Sequence, residues 1–259
     1  MLTLYYTPGA CSMAAHIVLE ESGEKYDAKK VDLSGGEQRT EAYLKINPLG
    51  RVPALRLDNG EPLAENTAIL PYLGRRFELW PKDPVAEAKA LSVIGFFAAS
   101  VHPAHAYVGR PERYASDSAA FPTIKETGLK TFHGYLKQSD GMLAEREWFS
   151  DRYSVLDPYG FVFYTWGVRR ELPMRQLENY TAFKDRMLKR SAVRLVVENE
   201  QIKVRAACAP WQLLGCALCH CGRQARWHVA HRGNANGKPA FDHAAHSITS
   251  FARVGHNGA

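Results

Sequence analysis

The sequence predicts an α/β domain over residues 1–78, a short linker at 79–84 and an all-helical domain over residues 85–204. Three observations carry this. Strand-like and helix-like stretches alternate through the first 78 residues, separated by Pro and Gly breaks. From Val85 onward, apolar residues repeat at helical spacing. After Val204 that spacing stops and the composition changes.

Residues 2–6 read as a strand, Pro8 and Gly9 break the chain, and Ser12-Met13-Ala14-Ala15 opens a helix that ends at Gly23. Cys11 therefore stands where a strand hands over to a helix N-terminus. Free backbone N–H groups and the positive end of the helix dipole favour a thiolate there. A small buried apolar side chain is the competing reading of a lone cysteine. The run Cys11-Ser12-Met13-Ala14 lacks the second thiol of a Cys-x-x-Cys pair. Cys11 can contact or attack a bound thiol, or enter a mixed disulfide, but it has no local partner for an internal one.

Residues 26–32 read as a second strand, Ser34-Gly35-Gly36 as a turn and residues 37–46 as a helix. Asn47-Pro48-Leu49-Gly50 is a turn signal. Residues 51–57 form a strand, and Asp58-Asn59-Gly60 turns it back into Pro62-Leu63-Ala64. Pro53 near a strand start belongs on an edge or at a bend. A cis Val52–Pro53 bond would turn the Val52 backbone outward, free to pair with a peptide-like ligand. Glu65-Asn66-Thr67-Ala68-Ile69 begins a helix with Asn66 as N-cap, running toward Phe77 with a kink at Pro71. Its free N–H groups favour a carboxylate, and Glu65 suits an ammonium; plain capping is the competing reading.

A chain of 259 residues with 46% hydrophobic and 23% charged residues can bury a sizeable core. The net charge of +6 is concentrated at one end. Residues 205–259 carry six Lys and Arg against Asp242, leaving 27 basic and 26 acidic side chains in residues 1–204. A near-neutral body does not suggest nucleic acid. No apolar run approaches the roughly 18 residues of a membrane span, and the first residues lack signal-peptide character, so no membrane partner and a cytoplasmic location are expected. Cys11 is the one thiol of residues 1–204, which suits a reducing compartment.

In the helical half, Val85, Ala88, Leu91 and Phe96 start a long helix that Pro103 should kink or end. His102 and His105 lie one turn apart, but no carboxylate or cysteine stands nearby, so no metal is expected. Ile124, Phe132, Leu136 and Leu143 form a second stripe. Ser154 and Asp157 have capping-box spacing, with Tyr153 as staple, ahead of Phe161, Phe163, Tyr164 and Trp166. Most of these aromatics read as core, while Tyr107 and Trp166 border an apolar substrate site. Residues 172–188 and 192–202 complete the bundle. In the tail, Cys216-Ala217-Leu218-Cys219-His220 has the spacing of a c-type haem attachment, and its cysteines and histidines also suit zinc. Without an export signal, a disordered extension is expected instead.

Three stretches in this order resemble the glutathione S-transferase family, and most of all its bacterial beta class. They are Tyr5-Tyr6-Thr7-Pro8-Gly9-Ala10-Cys11-Ser12, Asn47-Pro48-Leu49-Gly50-Arg51-Val52-Pro53-Ala54-Leu55 and Glu65-Asn66-Thr67-Ala68-Ile69. The resemblance implies a thioredoxin-like first domain, glutathione as co-substrate, a small electrophilic and largely apolar second substrate, and a homodimer. It places Cys11 at the glutathione sulfur, Val52 before a cis Pro53 against the cysteinyl backbone, and Glu65 and Asn66 at the γ-glutamyl end, with His102 close by. Cys11, Ser12 and Tyr6 are then the candidates for the chemistry. The lysine that often holds the glycyl carboxylate is replaced here by Gly35-Gly36, so either Gln38, Arg39 or Arg51 substitutes or that contact is weak. Thiol transfer with Cys11 as nucleophile, and a non-catalytic regulatory role, are the alternatives to conjugation.

Overall fold

In the computed structural model, which describes residues 1–204, Thr3–Tyr6 forms strand β1 of a four-stranded sheet. β1 pairs in parallel with β2 (Asp27–Lys30) and antiparallel with β3 (Ala54–Arg56), which pairs with β4 (Pro62–Ala64), giving the order β2-β1-β3-β4. The parallel pair requires a crossover, and α1 (Met13–Ser22) supplies it. Every residue of α1 from Met13 to Leu19 is buried, because α1 packs on the helices Asn66–Arg76, Leu156–Arg169 and Ser191–Asn199 as well as the sheet. It stops at Gly23, which takes the left-handed φ of 68° that ends helices.

The helix expected over 37–46 is shorter. Thr40 is extended and caps a fresh start by accepting from Tyr43 N–H, so a 3-10 turn (Glu37–Arg39) precedes α2 (Glu41–Leu44). The Val52–Pro53 bond is cis. α3 (Asn66–Arg76) continues through Pro71. Its cap is Glu65, one residue earlier than expected, and Asn66 is already helical.

α4 (Pro84–Phe96), capped by Asp83, passes through a π-helical turn (Phe97–Val101) into α5 (His102–Gly109). Pro103, expected to kink or end this helix, falls just after the π-helical turn, and the helix continues to Gly109. The whole run, Pro84–Gly109, is long and apolar enough to cross a membrane, with a mean hydropathy of 1.4 in its best window. The expectation of no such run is corrected: Glu87, Lys89 and Ser92 interrupt the apolar residues without lowering their mean enough. Ala90, Ile94, Phe97, Val101 and Ala104 turn into the protein core.

α6 (Phe121–Met142) buries Phe132 and Leu136 from its predicted stripe. α7 (Leu156–Arg169) is buried at every position from Leu156 to Val168. Asp157 accepts from the N–H groups of Ser154 (2.7 Å) and Phe149 (2.9 Å), the return bond of the expected capping box. α8 (Glu178–Met187) and α9 (Ser191–Asn199) follow. One continuous core runs from Leu4 and Ile17 through Leu70 to Val155 and Phe163, so the two halves share their apolar burial. Trp80, within the predicted linker, is 3% exposed and donates to Glu87. The haem-like and zinc-like residues of the tail lie outside the described residues.

Candidate functional site

A cleft of about 630 Å³ separates the sheet half from the helical half. Cys11 stands at its floor, 9% exposed, and its thiol donates to the Val52 carbonyl at 3.5 Å. Burial, reinforced by the Glu65 carboxylate, pushes the Cys11 thiol up to about 12. Arg110 and the N–H groups of Cys11 and Ser12 pull the other way but lose. The helix-activated thiolate expected from the sequence is thus not the resting state. Part of the reason is local: the N–H groups of Met13 and Ala14 already bond the Ala10 and Cys11 carbonyls at 3.1 and 3.2 Å.

Ser12 and Tyr6 do not join Cys11 in the cleft. Ser12 is fully buried, and its hydroxyl accepts from Thr7 N–H (3.1 Å) and donates to the Thr7 carbonyl (3.2 Å), closing the loop that carries Cys11. Tyr6 is absent from the cleft wall and packs on His16 at 4.8 Å between ring centres. Strand alternation sends Tyr5 to the other face, against Tyr43, so neither ring reaches the cleft.

Arg51, Val52, Pro53, Glu65 and Asn66 all line the cleft with Cys11. Tyr43 Oη and Asn47 Nδ2 both donate to the Arg51 carbonyl at 2.7 Å, fixing the approach to the cis bond. Glu65 holds φ 67°, ψ 129°, a region that side-chain-bearing residues occupy at a cost of about 1–3 kcal/mol. Such strain persists where a side chain must be aimed. Asn66 is 4% exposed; its Nδ2 donates to the Cys11 carbonyl at 3.0 Å, while its buried Oδ1 has no protein partner. Gln38 lines the cleft as well, its Oε1 buried and unpartnered; Arg39 does not line it.

α5 turns His102, His105, Ala106 and Gly109 to the cleft, one helical stripe. Burial, then Arg110, Arg51 and Arg113, push His102 down to about 4, so it is neutral at pH 7. Tyr107 does not line the cleft; its Cβ lies against α6, 2.6 Å from where a Cβ on Gly128 would sit. Tyr114, its edge-on neighbour, takes the cleft position that Tyr107 was expected to fill. Trp166 does line the cleft, yet it is 4% exposed and stacks on His105 at 4.1 Å. The sequence reading missed Tyr159, which lies 1% exposed beside Cys11 and Asn66, and the arginines 110, 113, 169 and 170. Among the described residues, no group of three or more His, Cys, Asp or Glu gathers that could hold a metal.

Residues 9–76 match the family described as Glutathione S-transferase, N-terminal domain. The chain is 31% identical over 208 residues to the glutathione S-transferase GstA of Escherichia coli O157:H7, covering 78% of this chain and all of that one. It is 38% identical to the maleylacetoacetate isomerase of Pseudomonas aeruginosa over 105 residues, covering 39% of this chain and 50% of that one. Among solved structures, a glutathione transferase homologue from Sulfitobacter with bound glutathione superposes with a TM-score of 0.73 at 32% identity, over 77% of this chain and 98% of the other. The beta-class glutathione S-transferase of Sphingomonas chungbukensis gives 0.68 at 32%, over 76% and 98%. A thioredoxin-like sheet domain, a helical bundle and a cysteine-floored cleft between them define the architecture of a glutathione transferase. The chain belongs to the glutathione S-transferase family and is an enzyme of that family.

Proposed function

We propose that the protein conjugates the glutathione thiolate to small electrophiles, with glutathione in the cleft beside Cys11. The observation that carries this reading is the gathering of Cys11, Val52, Glu65 and Asn66 around one cleft, with Glu65 held in a strained conformation. Glu65 takes the ligand ammonium. Asn66 and the start of α3 take the γ-glutamyl carboxylate. Arg51 and Gln38 take the glycyl carboxylate.

Conjugation is favoured over thiol transfer by the state of Cys11. A thiol pushed up to about 12 is protonated at neutral pH and is a poor nucleophile, but it is a hydrogen-bond donor. In the free protein that donor rests on the Val52 carbonyl. A ligand whose cysteinyl N–H takes over this carbonyl releases the Cys11 S–H toward the ligand sulfur. Together with the Arg110 charge, this lowers the pKa of the bound thiol and loads the thiolate for attack. Neutral His102 adds a polar wall.

A homodimer is part of the proposal. Val85 and Leu91 on α4 are 62% and 45% exposed, an apolar face that a second copy would cover. Light scattering decides this point, with a monomer mass against it. The enzymatic reading is tested by glutathione-dependent release of chloride from an aryl chloride. Binding of glutathione without any turnover across electrophile classes would favour the non-catalytic alternative.

A further inference from the structure

The helical wall of the cleft carries far more positive charge than glutathione uses. Arg110 and Arg113 follow α5, and Arg169 and Arg170 end α7; all four line the cleft. Glu65 is the one carboxylate among the lining residues. Among the described residues none of the four arginines forms an ion pair. The hydrogen-bond partners of Arg169 and Arg170 are neutral. Arg170 Nε donates to His105 Nε2 at 3.3 Å, and Arg169 Nη1 donates to the Gly9 carbonyl at 3.4 Å.

These like charges face one another. Burial and then Arg110 and Arg51 hold the Arg113 guanidinium below its usual range, and burial and then Arg170 do the same to Arg169. Arg170 is packed close to the backbone of the neighbouring turn: a Cβ on Gly109 would sit 2.9 Å from its Nη2. Arg110 acts on Cys11, so the cluster reaches the reacting end of the cleft. A cleft wall that gathers four guanidinium groups against the single carboxylate of Glu65 carries an excess positive charge that a bound anion relieves. Glutathione itself brings two carboxylates and one ammonium, and Glu65, Asn66, Arg51 and Gln38 already answer them.

We propose that the electrophile bound by the helical wall is an anion, a planar carboxylate-bearing molecule whose carboxylate sits in the fork of Arg110 and Arg113. This rests on the transferase reading above and replaces a largely apolar second substrate with a charged one. The guanidinium fork matches a carboxylate with two parallel hydrogen bonds. For a chloroarene carboxylate, the glutathione thiolate forms the new C–S bond, chloride leaves with the C–Cl electron pair, and the thiol proton passes to water.

The experiment compares chlorodinitrobenzoate with its methyl ester, which share leaving group and ring, each rate being corrected for the reaction without enzyme. The wild type should favour the benzoate in kcat/KM by about tenfold, the scale of one charge-assisted hydrogen bond. R110Q and R113Q should each remove most of that preference, R113K should keep much of it, and K130Q, which deletes an exposed charge on α6 away from the cleft, should not alter it. Calorimetry with dinitrobenzoate, which has no leaving group, asks the same question without turnover. Added to the protein with glutathione present, it should bind at least about tenfold more tightly than its ester, and salt should weaken it. An ester bound or converted as well as the acid would overturn the proposal, as would an unchanged preference in R113Q. Failure of glutathione to bind would contradict the transferase reading alone, because the dinitrobenzoate comparison still reports on the arginines.

Discussion

Glu200 accepts a hydrogen bond from Gly9 N–H at 2.8 Å, although 191 residues separate them. Its other oxygen lies 2.7 Å from His16 Nδ1, and its side chain is fully buried. On the opposite side of the same residue, Trp166 Nε1 donates to the Gly9 carbonyl at 2.9 Å. The helical half thus grips the loop that delivers Cys11 from both faces. Gly9 holds φ 69°, and a Cβ there would come within 3.3 Å of Ile202, so the grip also needs a glycine.

Glu200→Ala should therefore destabilise the fold by about 3–5 kcal/mol, since it strands His16 and the Gly9 N–H in a buried place. Glu200→Gln keeps an acceptor and the volume and should cost less. Urea unfolding of both variants checks the order. Equal stability of Glu200→Ala and wild type would show that the loop does not depend on this contact.

Ser12 and Cys11 should separate cleanly. Ser12→Ala removes the two bonds to Thr7 and should cost about 1–3 kcal/mol of stability, with turnover per folded molecule near that of the wild type. Cys11→Ala should keep measurable conjugation, falling roughly tenfold for each 1.4 kcal/mol of lost stabilisation, and should no longer gain the mass of one glutathione under oxidising conditions. Kinetics, melts and mass spectrometry on the two variants decide it. Chemistry lost in a stable Ser12→Ala protein would return Ser12 to the site.

Acid should weaken the fold through the α5 histidines. Burial, then Arg170, drives His105 far below its usual 6.5, and His102 falls to about 4. Between about 4 and 6.5 the unfolded chain binds more protons than the native one, so stability is present above 6.5 and is lost as pH falls. His105, 6% exposed, contributes up to about 1.4 kcal/mol per pH unit. Asp157, raised to about 7 by its burial, works in the opposite sense. The check is the difference between wild type and His105→Gln at pH 5 and pH 7, in which Asp157 cancels. The variant should lose less stability on acidification. A larger loss would contradict the neutral buried histidine.

The strain at Glu65 makes glycine a better replacement than alanine. Alanine keeps the cost of φ 67°, whereas glycine relieves it. Glu65→Gly should be more stable than Glu65→Ala by about 1 kcal/mol, though neither should hold glutathione well. Matching melting temperatures would remove the strain argument.

Much of this site is legible along the chain where neighbours in sequence are neighbours in space. The strand, Pro8, Gly9 and the helix start locate Cys11, and Glu65-Asn66 announces the head of α3. The polar function of Ser12 is not legible, because its hydroxyl turns back to Thr7, five residues earlier. The choice of Tyr114 over Tyr107 depends on how α5 rotates against Gly128. The four arginines come as two pairs some sixty residues apart, and only the packing of α5 beside the end of α7 unites them. Burial decides the charge state of Cys11, and no local pattern reports it. The apolar character of the run Pro84–Gly109 is hidden in the same way, by scattered polar residues on one long helix.

The central claim is that Glu65 holds the ammonium of glutathione at the head of α3. Isothermal calorimetry of glutathione with wild type and Glu65→Gln tests it most directly. The account predicts binding by the wild type and a loss of about 1.5–3 kcal/mol in the variant, roughly tenfold to a hundredfold in Kd. A folded Glu65→Gln protein that binds glutathione as tightly as the wild type would contradict it.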